Sequence, residues 1–280
     1  MTAEAQFVDA SPADSLLGGC ERVGRAANLG LIRQPDVVIA FVGMAFEARI
    51  AAGPGIRVFS RDSRRELEIA AAGAAHQGCR GIISFGVAGG LHAGLRPGQW
   101  VIASSVVDPQ GAWATDQKWS QNLMNSVGGA FYAPVLGVDT PVAEPAKKRE
   151  LHRATGAAAV DMESHVVARL AATHGLAFTA LRVIVDPAHR LIPSAALVGM
   201  GKGARADSTA VVRDVIARPG QTSRLARIML DAFIARAEMQ RVRRLLGPHF
   251  GMSDLSRLGD SPLSDSALAA PAGASYRAPA

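Results

Sequence analysis

The chain has 280 residues and a mass of 29.1 kDa, with 49% hydrophobic and 19% charged residues. That is long enough for a self-sufficient core, and too apolar and too weakly charged for a disordered polymer. No run of about 18 apolar residues marks a membrane span. The two cysteines, Cys20 and Cys79, exclude a disulfide scaffold and fit a reducing cytoplasm.

The net charge of +6 comes from 30 basic and 24 acidic residues, and only four of the basic ones are lysines. It concentrates in residues 221–246, where Arg224, Arg227, Arg236, Arg241, Arg243 and Arg244 outnumber Asp231 and Glu238. No zinc-ligand spacing, RNA-binding aromatic signature or helix-turn-helix pattern accompanies it, so no nucleic-acid partner is expected. Two readings stay open: the solvated face of a packed terminal helix, or a peripheral contact with an anionic membrane. At the other end, residues 1–34 are rich in Ala, Gly and Ser and lack periodicity. Leu17-Gly-Gly-Cys20 resembles a lipoprotein cleavage site, but Glu4, Asp9 and Asp14 stand where a signal peptide needs a basic start and an apolar run. The expected division is a disordered extension over 1–34, one domain over 35–247 and a flexible tail over 248–280.

Within the domain, residues 36–43 form a short apolar run ending in Gly43, as expected of a strand buried on both faces. Residues 56–60 predict a second strand and 64–76 a helix, with Asp62 or Ser63 as N-cap and Gly78 beyond its end. Residues 81–85 predict a strand leading into the loop Gly86-Val-Ala-Gly-Gly90. A strand over 99–107, an amphipathic helix over 116–126, an extended segment over 131–138 and a helix over 144–154 follow. Residues 157–160 predict a short strand running into a helix over 163–174, and 177–185 a last long strand stopped by Asp186-Pro187. Strands alternating with helices imply a three-layer αβα domain on a mainly parallel or mixed central sheet.

In such sheets ligands bind beyond the carboxyl ends of the strands. Four strand ends carry glycine or carboxylate: residues 43–47, 86–91, 161–163 and 186. Gly86, Val87, Ala88 and Gly89 offer backbone N–H groups to an anion or a ribose, or simply permit a tight reversal. Glu163 can accept two hydrogen bonds from a vicinal diol, with Met162 as a soft apolar surface for the sugar. Alternatively, Asp161 caps the following helix and Glu163 favours its N-terminal dipole. Asp186, if partly buried, can hold a raised pKa and act as a general acid, or it is a turn aspartate before proline. Glu47 lies one turn into the first helix.

In order and spacing these segments resemble the purine nucleoside phosphorylase and nucleosidase superfamily over residues 36–190. Gly43-Met44 with Glu47 is similar to the first-strand motif of the adenosine-type nucleosidases. Gly86-Val-Ala-Gly-Gly-Leu91 resembles their glycine loop, Val160-Asp-Met-Glu163 their diol-binding motif and Ile184-Val-Asp186 their purine-site aspartate segment. Ile83-Ser-Phe-Gly-Val-Ala-Gly-Gly-Leu91, Leu95-Arg-Pro-Gly98, Val160-Asp-Met-Glu-Ser-His165 and Asp186-Pro187 look most like the phosphorylases of hopanoid biosynthesis, which release adenine from adenosylhopane with phosphate.

The resemblance implies Asp186 as general acid at the base and Glu163 holding the 2′- and 3′-hydroxyls. It implies Glu47 at the nucleophile, and Asp161, Met162, residues 86–89 and Val142 around the substrate. It implies no metal and no cofactor, with inorganic phosphate as co-substrate, and a homo-oligomer, most simply a homodimer. Departures from the pattern fall on the anion site. Val87 replaces a Ser or Thr, Val185 a Ser, Ser60-Arg-Asp-Ser63 a Gly-x-Gly turn, and Val142 the base-stacking aromatic. Gly43, Arg49, Arg64 and Arg65 are the candidates to hold phosphate instead. A substituent as large as a hopane needs an apolar exit, for which residues 191–200 are suited unless they belong to the core. The alternatives are hydrolysis of methylthioadenosine or adenosylhomocysteine, and a non-catalytic nucleoside- or lipid-binding protein of the same fold.

Overall fold

Successive residues of the first strand, β1 (Val37–Val42), are buried on opposite sides of it. Val38, Ala40 and Val42 belong to one apolar cluster, whereas Ile39 and Phe41 belong to another. A strand that is apolar on both faces must be covered twice, and this requirement builds the three layers. The computed structural model describes residues 37–73, 79–193 and 222–252.

The remaining strands are β2 (Ile56–Ser60), β3 (Cys79–Gly90), β4 (Trp100–Asp108), β5 (Gly111–Ala114), β6 (Phe131–Gly137), β7 (Ala159–Asp161) and β8 (Ala177–Asp186). The helices are α1 (Ala45–Ala51), α2 (Arg64–Ala72), α3 (Gln117–Ser126), α4 (Pro145–Thr155), α5 (Ser164–His174) and α6 (Thr222–Leu245). Short 3-10 turns occupy Arg61–Ser63 and Pro248–Gly251. One face of the sheet is covered by Ala51 of α1, Trp119 and Leu123 of α3, and Ala235, Met239 and Val242 of α6. The other is covered by Leu67 and Ala70 of α2 with Val167, Ala168 and Ala171 of α5.

The sheet is mixed, as expected. Parallel pairs join β1 to β2 and β3, β3 to β8, β4 to β6, and β6 to β7; β3–β7, β4–β5 and β4–β8 are antiparallel. Because β8 bridges β3 and β4, the pairings β3–β8–β4–β6–β7–β3 close a ring, which removes the free edges those strands would otherwise expose. β1, β3 and β8 run parallel, so their carboxyl ends at Val42, Gly90 and Asp186 gather at one edge.

Several sequence expectations are corrected. The glycine run 86–90 is not a loop but the last part of β3, held extended between β8 on one side and β7 on the other. α2 ends at Ala72 rather than at residue 76, and residues 74–76 lie outside the described ones. β5 went unforeseen because Gly111-Ala-Trp-Ala114 is short and mostly exposed. Residues 248–252 are packed rather than flexible. Phe250 is fully buried 5.0 Å from the Phe85 ring, and Trp119 Nε1 donates to its carbonyl at 2.8 Å. Burying a phenylalanine contributes about 1.5–3 kcal/mol. Arg243, counted above among the basic residues of 221–246, caps this corner. It donates from Nε to the Ala51 carbonyl at 3.0 Å and from Nη1 to the Gly247 carbonyl at 2.7 Å, with its guanidinium 4.8 Å above the Phe250 ring. Residues 1–34 and 253–280 lie outside the described residues.

Candidate functional site

A pocket with an empty volume of about 690 Å³, part of it open to solvent, lies at the edge where β1, β3 and β8 end. Gly43, Glu47, Val87, Ala88 and Gly89 line one side of it, Asp161, Met162 and Glu163 another, and Val142, Val185 and Asp186 a third. Gly86 lies just behind. The four separate strand ends singled out in the sequence therefore converge.

Glu47 is brought inward by α1, a helix of only 7 residues that starts straight out of β1. Its Oε2 accepts from Gly43 N and Met44 N, both at 2.8 Å, satisfying donors that a helix start leaves open. Its Oε1 accepts from Val87 N at 2.8 Å, tying α1 to β3. Burial, with Glu163 adding repulsion, pushes its pKa up to about 7 against the opposing pull of Arg182 and of the Val87 and Met44 N–H groups. A carboxylate so placed can take up or hold a proton near neutral pH.

The glycines of β3 are explained by what crosses them. Gly86 pairs in register with Arg182 and Gly89 with Asp186. A Cβ on Gly86 would lie 2.6 Å from Glu47 Oε1 and 2.7 Å from Arg182 Nη1, and one on Gly89 3.2 Å from Asp186 Oδ2. Charged side chains from the neighbouring elements thus pack onto bare backbone.

Three basic residues at the site were not foreseen. Arg182, fully buried in β8, is ion-paired with Asp161, Nε 2.7 Å from Oδ2, and donates from Nε to the Ser164 hydroxyl and from Nη2 to the Ser84 and Ser164 hydroxyls. Its Nη1 has no hydrogen-bond partner and lies 3.6 Å from Glu163 Oε2. Arg61, at the start of the 3-10 turn that replaces the expected Gly-x-Gly, is ion-paired with Glu163 and lines the pocket. Lys148, on α4, is fully buried with Nζ 2.5 Å from Asp186 Oδ2. Arg182 had left a signal: a charge in the middle of an otherwise apolar strand. Lys148 had none, since Lys147-Lys-Arg-Glu150 reads as a solvated helix face.

Asp161 lines the pocket and is also a structural anchor. Its Oδ1 accepts from Glu163 N and Ser164 N at 3.0 and 2.8 Å, capping α5, and its Oδ2 accepts from Ser164 Oγ at 2.5 Å and is ion-paired with Arg182. Glu163, by contrast, presents its carboxylate toward Gly43, whose Cβ would meet Oε1 at 2.7 Å. Asp186 is buried, which pushes its pKa upward against the opposing effect of Lys148.

Arg49 and Arg64 are corrected as anion ligands, and Arg65 with them. Two residues along a helix turn about 200°, so with Glu47 facing inward Arg49 faces solvent. Arg64 and Arg65 are exposed in the first turn of α2, and Arg64 pairs with Glu68 at 3.4 Å. Gly43 does line the pocket. Of the proposed apolar exit, Ile192 lines the pocket, and residues 194–200 lie outside the described ones. Val142 lines it too, packed against the cluster of Leu91, Leu136 and Val160.

The family model described as "Phosphorylase superfamily" matches residues 63–217. Among solved structures, the chain is similar to the futalosine hydrolase of Helicobacter pylori strain 26695, at 14% identity, 76% coverage of this chain, 96% of that one and a TM-score of 0.52. It is equally similar to the 5′-methylthioadenosine/S-adenosyl homocysteine nucleosidase of Helicobacter pylori, at 14% identity, 76% and 97% coverage and a TM-score of 0.51. At such identities these likenesses speak for the fold. No curated protein sequence matches the chain.

Proposed function

The chain belongs to the phosphorylase superfamily, and from that membership we propose that it cleaves the N-glycosidic bond of a 5′-substituted adenosine, with phosphate as acceptor and adenosylhopane as substrate. One observation carries this reading: Glu47, Glu163 and Asp186, from three distant segments, line one pocket floored by the bare backbone of β3. Breaking the bond places positive charge on the ribose and negative charge on the departing base. Asp186, buried and raised in pKa, is suited to protonate adenine as it leaves. Glu163 is suited to hold the ribose diol, exchanging its ion pair with Arg61 for two hydroxyl donors, and the freed Arg61 can then face a phosphate. Val138, Pro141, Val142 and Ile192 give the mouth an apolar wall for a 5′-substituent.

Hydrolysis is the second reading, favoured by Glu47, whose pKa of about 7 suits a base that activates water. The similarly folded Helicobacter pylori protein is named as a nucleosidase of two 5′-substituted adenosines. The test is free adenine released from adenosylhopane and from methylthioadenosine, each with and without phosphate. Phosphate-dependent release from adenosylhopane is expected; phosphate-independent release from methylthioadenosine alone would favour hydrolysis.

A lipid-linked substrate also requires access to a membrane. No described helix is long and apolar enough to cross one. The outer face of α6, however, exposes Met229, Leu230 and Phe233 at 66%, 58% and 69%, alongside the exposed Arg227 and Arg236. This combination suits shallow contact with an anionic surface, at about 1 kcal/mol per well-placed basic residue. Sedimentation with phosphatidylglycerol vesicles is expected to recover the wild type, and Phe233→Ser with Met229→Ser to weaken recovery. Equal recovery of both would remove the membrane contact.

A further inference from the structure

We propose that Lys148 is the positioning residue of the base-site acid, holding the proton that Asp186 passes to the departing adenine; this role rests on the glycosidic-cleavage reading above. Lys148 projects from α4, and all three of its donors are engaged. Besides Asp186 Oδ2 at 2.5 Å, it donates to the Pro187 carbonyl at 3.3 Å and the Arg190 carbonyl at 3.1 Å.

Holding the 187–190 turn needs only a neutral donor. Burying an ammonium costs several kcal/mol unless its charge is used, and its one anionic partner here is a carboxylate that lines the pocket. Asp186 is bracketed, with Lys148 on one side and the backbone of Gly89 on the other, while it lines the pocket. The other cation acting on Asp186 is Arg190, in the turn after β8, which is itself ion-paired with Asp231 of α6.

The proton path balances. The C1′–N9 bond breaks with its electron pair on the purine, and a phosphate oxygen bonds to C1′. The purine N7 takes one proton through Asp186, whose carboxylate draws it from Lys148 Nζ as it hands it on, and the amine regains it from solvent once adenine has left. Lysine can give up a proton, whereas arginine keeps the charge and the donors but does not deprotonate.

Lys148→Arg therefore separates proton supply from charge and tethering. Adenine release is measured as kcat and KM across pH 5.5–9, with adenosylhopane or methylthioadenosine, whichever the wild type turns over. Lys148→Arg is expected to lower kcat by about 100-fold with KM within about threefold, the loss narrowing toward acid pH as solvent protonates Asp186 directly. Lys148→Met is expected to show the same loss; if it does not fold, the arginine variant decides. A wild-type kcat in Lys148→Arg, or a rise in KM with kcat unchanged, overturns the proposal by leaving Lys148 only a tether. Absence of adenine from the wild type on both substrates overturns the cleavage reading itself, and this role with it.

Discussion

Asp186→Asn is expected to cut adenine release by about 10²–10⁴-fold, the loss typical of a missing general acid, and also to destabilise the fold by about 3–5 kcal/mol. The second effect follows from Lys148. Its ammonium is fully buried against Asp186, and an asparagine amide accepts a hydrogen bond without neutralising the charge. Breaking one side of a buried pair strands the other, whereas replacing both with apolar groups of similar volume is often neutral or stabilising. Asp186→Asn combined with Lys148→Met should therefore regain most of the stability and none of the activity. Urea unfolding of the two variants checks this. An Asp186→Asn protein as stable as the wild type would show that the pair contributes no such constraint.

Stability is expected to fall by up to about 3 kcal/mol between pH 5 and pH 8, with Glu47 as the principal cause. Its carboxyl is raised from 4.5 to about 7 in the folded chain, so across that interval the native state binds the proton more tightly than the unfolded one. The contribution is complete below about pH 4.5 and is lost as pH rises through about 7. Asp186, also raised by burial, acts in the same direction. Chemical unfolding at four pH values measures the slope, and Glu47→Gln should flatten it while weakening the ties to Val87 N or to Gly43 N and Met44 N. A wild-type stability that is level or rising over this range contradicts the burial of Glu47. The same ionisation bears on mechanism: if Glu47 activates water, turnover rises through about pH 7, whereas direct attack by phosphate does not require that limb.

Much of the frame was legible because strand burial leaves a plain mark. Residues 37–42, 81–85 and 177–185 are largely apolar runs, and Glu47 and Asp186, after the first and the last of them, stand out against that background. The glycine run was misjudged because glycine ordinarily weakens a strand; here it is tolerated because Arg182 and Asp186 from β8, and Glu47 from α1, need the space. Asp161 and Glu163 are two residues apart and both line the pocket, yet one also caps α5 and pairs with Arg182 while the other pairs with Arg61. Only the direction of the chain at the start of α5 distinguishes them. Arg49 and Arg64 were plausible as nearby cations, but helix phase turns Arg49 to solvent and Arg64 is exposed in the first turn of α2. Lys148 was illegible for the opposite reason. Its neighbours Lys147 and Glu150 form an exposed ion pair at 2.7 Å, while Lys148 points the other way, into the core.

The most direct measurement is free adenine from a 5′-substituted adenosine, comparing the wild type with Asp186→Asn/Lys148→Met at equal folded concentration. The wild type should release adenine to completion with repeated turnover, and the double variant should release it at least about 100-fold more slowly. Equal rates for the two proteins, or no adenine from the wild type with either adenosylhopane or methylthioadenosine in the presence of phosphate, would contradict the assignment of this pocket to glycosidic cleavage.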